Sequence, residues 1–314
     1  MKVPEAGRKH EPMESPPVGH EAEREPPQRV GVTGALGYVA SHLLPKLRER
    51  ATRIVAIVRP GRDAGRLEAL GAEVRRADLE DPSTVGGVFA DLDAVIHLSG
   101  MAQVPRFLPA LEAAGVRRGV FVGSTGVHTR LESPGADAKR IGEAALRASG
   151  IGYVILRPTM IYGTLADRNL ARLLRWLQRS PLVPVPGGGE TPQQPVHVDD
   201  LVAAIQAALE RPGSARREYD VGGPEPLSLS ELIRTSAEAL GRRAWIIPVP
   251  LAPSHRAVLT LRALRLPCPV RGEQVLRLAE SKAVDIGPAQ RDLSYRPRSF
   301  SEGIAEEAAA LGPR

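Results

Sequence analysis

A glycine-rich turn near the N-terminus is the sequence feature that most constrains the fold of this chain. The stretch GVTGALGYVASHL, residues 31–43, places Gly34, Gly37 and Ala40 at intervals of three residues behind the short apolar run RVGV. Apolar residues at helical spacing follow over residues 38–50. A turn between a strand and a helix leaves backbone N–H groups free at the helix N-terminus, where the helix dipole also favours an anion such as a pyrophosphate. The turn therefore predicts a dinucleotide-binding unit within a parallel sheet.

Strand and helix patterns alternate from this turn to about residue 160. The apolar stretches RIVAIVR, DLDAVIHLSG and RRGVFVGSTG are typical of buried parallel strands, and RLEALG and FLPALEAAG are typical of the helices between them. After that point an amphipathic helix, DRNLARLLRWLQRSP, precedes the segment PLVPVPGGGETPQQP, which we expect to be a loop. We therefore predict an α/β protein with a Rossmann-type doubly wound parallel sheet and a smaller C-terminal lobe that binds substrate.

Composition changes along the chain predict its domain organisation. Residues 1–28 contain six prolines and six glutamates and no aromatic residue, so we expect a disordered tail that cannot bury enough apolar surface to fold. We assign the dinucleotide-binding domain to residues 29–163, with a return segment over residues 196–222. The smaller lobe then consists of residues 164–195 and 223–314. In residues 223–314 we expect helices interrupted by prolines, without alternating strands.

Overall composition narrows the class of partner. The net charge of +6 comes from dispersed arginines, and aromatic residues make up only 4% of the chain, too few for base-stacking platforms, so we expect no nucleic-acid partner. An anionic ligand that bears phosphate fits the charge. No stretch is apolar for long enough to span a membrane, and no secretory signal is evident. The single cysteine, Cys268, excludes an internal disulfide and offers no metal-site spacing. The absence of disulfides favours a cytoplasmic location. The sequence is also compatible with a homodimer.

Several motifs recur in the order of a known family. VTGALGYVASHL resembles a TGxxGxxG motif, RADLED an adenine-contacting segment, FVGSTGV a strand that carries an active-site serine, and YVILRPTMIYG an LRPxxxYG segment. AVIHLSG and the C-terminal DLSYRPRSFSEGI extend the likeness from about residue 29 to residue 308. The chain thus resembles the extended and atypical short-chain dehydrogenases/reductases, the NAD(P)-dependent epimerase/dehydratase family.

The resemblance implies site residues. It implies Ser124 and Lys139 as catalytic residues, with Glu143 as the companion of Lys139 on one helix, and it implies no metal. It also implies cofactor contacts from the glycine turn, from strand ends and from Lys139. With the strand-end arginine discussed next, the expected cofactor contacts are Gly34, Ala35, Leu36, Gly37, Tyr38, Val39, Arg59, Asp78, Leu79, Leu98, Ser99, Gly100, Lys139 and Pro158.

The end of the second strand indicates which nicotinamide cofactor binds. In this fold an acidic side chain there accepts hydrogen bonds from the adenosine ribose of NAD, whereas an arginine pairs with the 2′-phosphate of NADP. The sequence VRPGR puts Arg59 at the strand end and Arg62 three residues later, with no acid before Asp63. We therefore expect NADP in preference to NAD, although an arginine can also cap an exposed strand end.

The proton carrier is the unusual part of the predicted site. Family members place a tyrosine four residues before the lysine, on the same helix face, where the ammonium lowers the pKa of the phenol. Gly135 stands at that position here. His128, Tyr162 and His197 are polar alternatives, but we expect a solvated His128, a structural or substrate-lining Tyr162, and a His197 that bonds backbone at a helix start.

Two functions from different classes therefore remain. The first is an NADP(H)-dependent oxidoreductase or epimerase that acts on a hydroxyl or carbonyl carbon of a small molecule. Its substrate could be a nucleotide sugar held by Arg168, Asn169 and Arg172. In the alternative interpretation these residues belong to a solvated helix face and bind no substrate. The second is a cofactor-binding sensor or structural subunit without turnover, which the missing tyrosine favours and the retained Ser124 and Lys139 oppose.

Overall fold

A computed structural model describes residues 27–50, 52–167, 169–210, 216–263 and 272–312. The tail prediction for residues 1–26, and the predictions that concern Arg168 and Cys268, lie outside these residues. The strands are β1 Arg29–Thr33, β2 Arg53–Val58, β3 Glu73–Arg76, β4 Ala94–His97, β5 Arg118–Val122, β6 Gly152–Pro158, β7 Ile161–Tyr162, β8 Leu182–Pro186, β9 Pro192–Gln193, β10 Val196–His197, β11 Arg217–Val221, β12 Leu227–Ser228 and β13 Trp245–Val249. The helices are α1 Tyr38–Glu49, α2 Gly65–Ala69, α3 Val104–Ala113, α4 Pro134–Ala148, α5 Leu170–Leu177, α6 Val198–Glu210, α7 Leu229–Ala239, α8 Leu251–Ala263, α9 Gly272–Arg277, α10 Gly287–Leu293 and α11 Phe300–Leu311.

Seven of the described strands form one parallel sheet in the order β11-β6-β5-β4-β1-β2-β3. Strand β1 is central, with Val30 opposite Ile54 of β2 on one side and Ala94 of β4 on the other. The strand order reverses between β1 and β4, which is the topological switch point at which doubly wound sheets bind ligands. The predicted Rossmann-type fold is confirmed.

Helices bury both faces of this sheet. On one face Leu43 and Leu47 of α1 pack with Leu201 and Ile205 of α6, and all four are at most 2% exposed. On the other face α3 and α4 cover the sheet with apolar side chains, among them Phe107. Burial of one such side chain contributes roughly 1.5–3 kcal/mol, so the two layers fix the positions of the strand ends that form the site.

The prediction of a loop over PLVPVPGGGETPQQP is wrong in part. Residues 182–186 form β8, which pairs in parallel with β13, and β12 pairs with β9. Strands therefore do occur after residue 223, contrary to expectation. Val183 and Val185 are buried against α7 while Leu182 and Pro184 are exposed, which is ordinary strand alternation. The prolines obscured it, since proline lacks an N–H group and is tolerated mainly in edge strands such as these.

Candidate functional site

The glycine turn closes tightly against the end of β4. Gly34 has a φ of +67°, and an added Cβ would lie 2.9 Å from the backbone nitrogen of Ser99 and 3.0 Å from the carbonyl carbon of Leu98. Gly37, whose N–H group donates to the Gly34 carbonyl at 2.8 Å, is the N-cap residue of α1 and supplies no side chain to it. No side chain therefore stands at either glycine of the turn, and the helix N-terminus is open to an anion.

A buried histidine holds the neighbouring strand end in place. His97 Nε2 lies 2.9 Å from the Gly100 carbonyl oxygen and therefore donates to it, while Nδ1 accepts from the Thr33 hydroxyl at 2.8 Å. Ser99 Oγ in turn donates to Thr33 Oγ1 at 3.0 Å. Burial lowers the pKa of His97 to about 4. The ring is therefore neutral at pH 7, and it positions Ser99 and Gly100 without titrating.

A cleft of about 680 Å³ opens beside the turn at the carboxyl ends of the strands. Its lining residues are Gly34, Ala35, Leu36, Gly37, Ile57, Val58, Arg59, Arg62, Ala77, Asp78, Leu79, Leu98, Ser99 and Gln103. Of the cofactor contacts expected from the sequence, Tyr38, Val39, Gly100, Lys139 and Pro158 are outside this lining. The sequence analysis did not identify Ile57, Val58, Ala77 or Gln103. These four residues share no sequence motif. What they have in common is their location at or just beyond the ends of strands β2, β3 and β4.

Basic side chains line one end of the cleft. Arg59 and Arg62 are exposed and follow β2 directly. Arg76 donates to the Arg62 carbonyl oxygen at 2.5 Å, which brings a third guanidinium to the same edge. The nearest following acid, Asp63, accepts from the N–H group of Gly65 at 2.9 Å at the start of α2. This end of the cleft is therefore better suited to bind a phosphate than to bind the adenosine ribose hydroxyls of NAD, which would need a carboxylate as acceptor.

Three polar groups converge on Gly126, beyond β5. A Cβ added to Gly126 would lie 3.0 Å from Arg277 Nη2, 3.2 Å from Ser124 Oγ and 3.8 Å from Lys139 Nζ. Ser124 also accepts from the N–H group of Gly126 at 3.1 Å and caps the short 3₁₀ turn Thr125–His128. The structure thus brings Ser124 and Lys139 together, as the sequence suggested. It adds Arg277, which no sequence signal had identified.

A carboxylate fastens the segment that carries Arg277 to the loop after β5. Glu280 accepts from Thr129 Oγ1 at 2.7 and 2.8 Å and from the N–H group of Arg130 at 2.9 Å. Burial opposes its ionisation, but these hydrogen bonds, with Lys282 Nζ at 3.2 Å, lower the pKa of Glu280 to about 2. Glu280 is ionised throughout the neutral range and keeps Arg277 near Gly126.

Gly135 lies in the first turn of α4, which begins at Pro134. The residue is exposed, its φ lies outside the left-handed region, and a Cβ added there meets no atom within 4 Å. Gly135 and Lys139 are four residues apart in one helix and therefore share a face. A larger side chain at Gly135 can be accommodated.

The other polar candidates are engaged elsewhere. His128 Nε2 lies 3.0 Å from Asp220, with its side chain 51% exposed. Tyr162 is 1% exposed, and burial raises the pKa of its phenol. His197 Nδ1 accepts from the N–H group of Asp199 at 3.2 Å, as predicted for a histidine at a helix start, and burial followed by nearby Arg298 lowers its pKa. Neither buried ring is suited to carry a proton to a ligand.

The carboxylates of Glu143, Asp199 and Asp200 are paired with basic side chains. Glu143, which is 2% exposed, accepts from Arg157 at 2.8 and 2.7 Å and from Arg147 at 3.0 Å. Asp199 lies 3.2 Å from His42 Nδ1, and Asp200 accepts from Arg298 Nε at 3.2 Å. The two aspartates are therefore paired with basic groups on different elements and do not form a carboxylate dyad.

A second pair of carboxyl groups is buried behind the glycine turn. Glu307 of α11 is 1% exposed and accepts from the N–H group of Gly163 at 3.0 Å, while Asp167 is 6% exposed. Burial, and then the neighbouring Asp167, raise the pKa of Glu307 to about 8. Tyr38, at the start of α1, accepts from the Thr164 hydroxyl at 3.3 Å in the same region, and burial raises its pKa to about 12.

We expect this pair to make stability depend on pH. Because the pKa of Glu307 is raised from 4.5 to about 8 on folding, its protonated form stabilises the fold below about pH 4.5, and that contribution is lost as the pH rises through about 8. Glu307→Gln should keep the acceptor for Gly163, so its melting temperature should fall by several degrees less than that of the native protein between pH 5 and pH 9. Glu306→Gln, at a side chain that is 60% exposed, is the control. Parallel melting curves for the native protein and Glu307→Gln would contradict the assignment.

Comparisons with known proteins agree with this geometry. A family described as NAD(P)H-binding matches residues 34–174. Subunit 9 of the NADH dehydrogenase [ubiquinone] 1 alpha subcomplex of Arabidopsis thaliana, a mitochondrial protein, is 27% identical over 81% of this chain and 68% of its own length. UDP-glucose 4-epimerase of Vibrio cholerae is 24% identical over 92% of this chain and 97% of its own. Triphenylmethane reductase of Citrobacter sp., solved with NADP(H), superimposes with a TM-score of 0.73 at 21% identity, covering 89% and 99% of the two chains.

The doubly wound sheet, the glycine turn at its switch point and the cleft beside it define an NAD(P)-binding Rossmann protein. Within that class, the relatives to which the chain is similar include proteins named as an epimerase and as reductases. In the part of the chain that the structure describes, no helix is both long and apolar enough to cross a bilayer.

Proposed function

We propose that this protein is an NADP(H)-dependent oxidoreductase that acts on a carbonyl or hydroxyl carbon of a small molecule. The observation that carries the proposal is the convergence of Ser124, Lys139 and Arg277 on Gly126, in a chain whose glycine turn leaves no room for a side chain at Gly34. Bound NADPH supplies a hydride to a carbonyl carbon, and NADP⁺ accepts one in the reverse direction. In this proposal residues 29–163 and 196–222 bind the cofactor, and residues 164–195 and 223–314 contribute to the substrate site.

The residues at Gly126 have separate proposed roles. Ser124 donates a hydrogen bond to the substrate oxygen, and Lys139 holds the nicotinamide ribose. Arg277 supplies guanidinium N–H donors at the position where negative charge develops on that oxygen, and such preorganised donors lower the barrier. A guanidinium is not a proton donor at neutral pH, so the proton that completes the alcohol comes from water. This arrangement predicts slow turnover, since a positioned acid–base group contributes about 10²–10⁴ in rate.

Charge at the end of β2 supports NADP over NAD. Arg59 and Arg62 line the cleft, and Asp63 is already engaged by the N–H group of Gly65. A guanidinium can pair with a phosphate through two parallel hydrogen bonds, and a carboxylate at the same place would repel it. The 2′-phosphate of NADP is thus the group that this edge of the cleft is suited to bind.

We expect NADPH to stabilise the native protein against heat more than NADH does, and Arg59→Glu to reverse the order. A ligand present at about 100 times its Kd adds about 2.7 kcal/mol to stability, which a thermal-shift assay detects readily. Arg53→Glu, an exposed arginine at the opposite end of the same strand, should leave the preference unchanged. Equal shifts with the two cofactors in the native protein would rule the preference out.

The substrate is proposed only by class. A relative named UDP-glucose 4-epimerase supports a nucleotide sugar. Exposed Arg172 on α5 is a basic group that could meet a diphosphate. The relatives also include a protein named 2-alkyl-3-oxoalkanoate reductase, which supports a simple ketone equally well. Both substrate types present a carbonyl or hydroxyl carbon for hydride transfer.

A second function is favoured by one observation. Gly135 leaves the usual proton carrier out of α4, and the relative from Arabidopsis thaliana is named as a subunit of a larger assembly. In this alternative the chain binds NADP(H) as a sensor or structural subunit without turnover, and Lys139 serves binding alone.

One experiment separates the two functions. NADPH oxidation is followed with a panel of ketones and UDP-sugars, using the native protein and Lys139→Met, while cofactor binding is titrated in parallel. The oxidoreductase proposal expects slow oxidation with at least one carbonyl substrate, and loss of that rate in Lys139→Met beyond its loss of binding. Cofactor binding in both proteins without oxidation of NADPH by any carbonyl substrate would favour the sensor or subunit.

A further inference from the structure

The small sheet formed by β8 and β13 has one covered face and one exposed face. Val183 and Val185 of β8, with Ile246 of β13, pack against α7. Leu182 and Pro184 alternate with these valines and face the other way. In register with them on β13 are Trp245 and Ile247. Because side chains of paired residues lie on the same side of a sheet, these four form one continuous apolar surface.

Trp176 of α5 extends this surface. Its indole N–H group donates to the Leu182 carbonyl oxygen at 2.9 Å, which fixes the ring at the sheet edge. We call the surface made by Trp176, Leu182, Pro184, Trp245 and Ile247 the apolar face. Trp176 is 50% exposed and Trp245 is 63% exposed. They are the two tryptophans of the chain, and both therefore have large exposed areas on one surface.

The segments that build the apolar face carry charge of a single sign. The two segments that build it, residues 169–189 and 239–263, contain no aspartate or glutamate, although the whole chain has 36 acidic residues. Five arginines of these segments are exposed: Arg172, Arg179, Arg242, Arg243 and Arg256. Arg242 donates to the Gln178 carbonyl oxygen at 2.7 Å, which links the segment before β13 to the end of α5. An apolar centre on segments whose charged side chains are all basic is complementary to an anionic apolar partner.

Sheet extension by another protein strand is disfavoured at this place. Pro184 and Pro186 remove N–H donors from β8, and Pro248 removes one from β13. A strand that added to either edge would find few donors. A partner must therefore contact the face itself.

We propose that the apolar face binds the surface of a lipid bilayer that contains anionic headgroups. Tryptophan is suited to the boundary between headgroups and acyl chains because its ring is apolar and its N–H group is polar. Arginines around an apolar patch add electrostatic attraction to anionic lipid. Together they describe a protein that lies on a membrane surface. The proposal does not depend on the proposed function.

Intrinsic fluorescence tests this directly, because both tryptophans are on the apolar face. The probe is vesicles of phosphatidylcholine and phosphatidylglycerol in equal amounts. We expect a blue shift of the emission and sedimentation of the protein with these vesicles. The effect should be much smaller with phosphatidylcholine alone and should weaken as salt is raised. No shift and no sedimentation with the anionic vesicles would overturn the proposal.

Variants separate this surface from the overall charge of the protein. Arg179→Gln with Arg243→Gln should lower partitioning about 30-fold, since each basic residue near an anionic surface contributes about fivefold. Arg53→Gln with Arg117→Gln, exposed arginines at the start of β2 and just before β5, should change it far less. Trp245→Ser with Ile247→Ser should reduce binding, whereas Ile141→Ser, at an apolar side chain that is 63% exposed on α4, should not.

The remaining outcomes would overturn the proposal. Equal losses in the patch variants and in the control variants would assign the binding to net charge. Sedimentation equilibrium that gives a dimer, abolished by Trp245→Ser with Ile247→Ser, would assign the apolar face to a second copy of the chain. A blue shift with duplex DNA that matches the shift with anionic vesicles would assign it to nucleic acid.

Discussion

Replacement of Gly135 by tyrosine is expected to raise the rate of carbonyl reduction by about 10²–10⁴-fold. The phenol would stand four residues before Lys139 on the same face of α4, where the ammonium lowers its pKa. Helix α4 already includes residue 135, and an added Cβ meets no atom within 4 Å, so the attachment point of the new side chain is free of clashes. The rate is measured as NADPH oxidation with the most active carbonyl compound of the panel.

Gly135→Phe is the matched control for this experiment. It adds the same ring and removes the same helical glycine, but it has no hydroxyl group to transfer a proton. An increase in Gly135→Tyr alone would identify the hydroxyl as the missing group. A native turnover on the order of 10 s⁻¹, an ordinary enzyme value, would instead mean that another residue carries the proton, and equal rates in the two variants would exclude a gain through the phenol.

Glu143→Gln is expected to destabilise the fold by about 3–5 kcal/mol. Arg157 is 7% exposed. Burial lowers its pKa, but the hydrogen bonds that it donates to Glu143 and Glu218 outweigh burial and hold the pKa above its usual value. The amide of glutamine can replace part of the hydrogen bonding but none of the charge. The buried guanidinium then keeps Glu218 as a close partner and Asp220 as a weaker one at 3.9 Å. The free energy of unfolding is measured by urea denaturation.

An exposed ion pair on the same helix provides the control. Asp137 and Arg140 of α4 are 2.6 Å apart, with side chains that are 60% and 42% exposed. Asp137→Asn should cost at most about 0.5 kcal/mol, because solvent screens such pairs. If both substitutions cost the same, burial does not govern the strength of the Glu143 pair.

Much of the fold was predictable because its signals are local. The turn at Gly34, the apolar strands and the helix starts are each written in a few consecutive residues, and helical connections between successive strands supply the crossovers that a parallel sheet needs. Strands β8 and β13 were missed because prolines normally indicate a loop. For β8 the only contrary signal was the alternation of Val183 and Val185 with exposed residues.

The site was predictable to a lesser extent, for a different physical reason. Gly34, Arg59 and Asp78 belong to recognisable local patterns, and all line the cleft. Ile57 and Ala77 line it too, but an apolar residue at a strand end has the same sequence signature whether it faces a core or a ligand. Arg277 depends on a contact with a distant part of the chain that no local pattern encodes.

The two halves of the site differ in when a growing chain can complete them. All residues that line the cleft lie between Gly34 and Gln103, whereas the cluster at Gly126 also needs Arg277, held by Glu280. Because synthesis runs from the N-terminus and early segments can begin to fold first, the residues that line the nucleotide cleft are all synthesised well before the last member of the cluster. The capacity to bind a dinucleotide can thus precede the capacity to act with it during the life of each molecule.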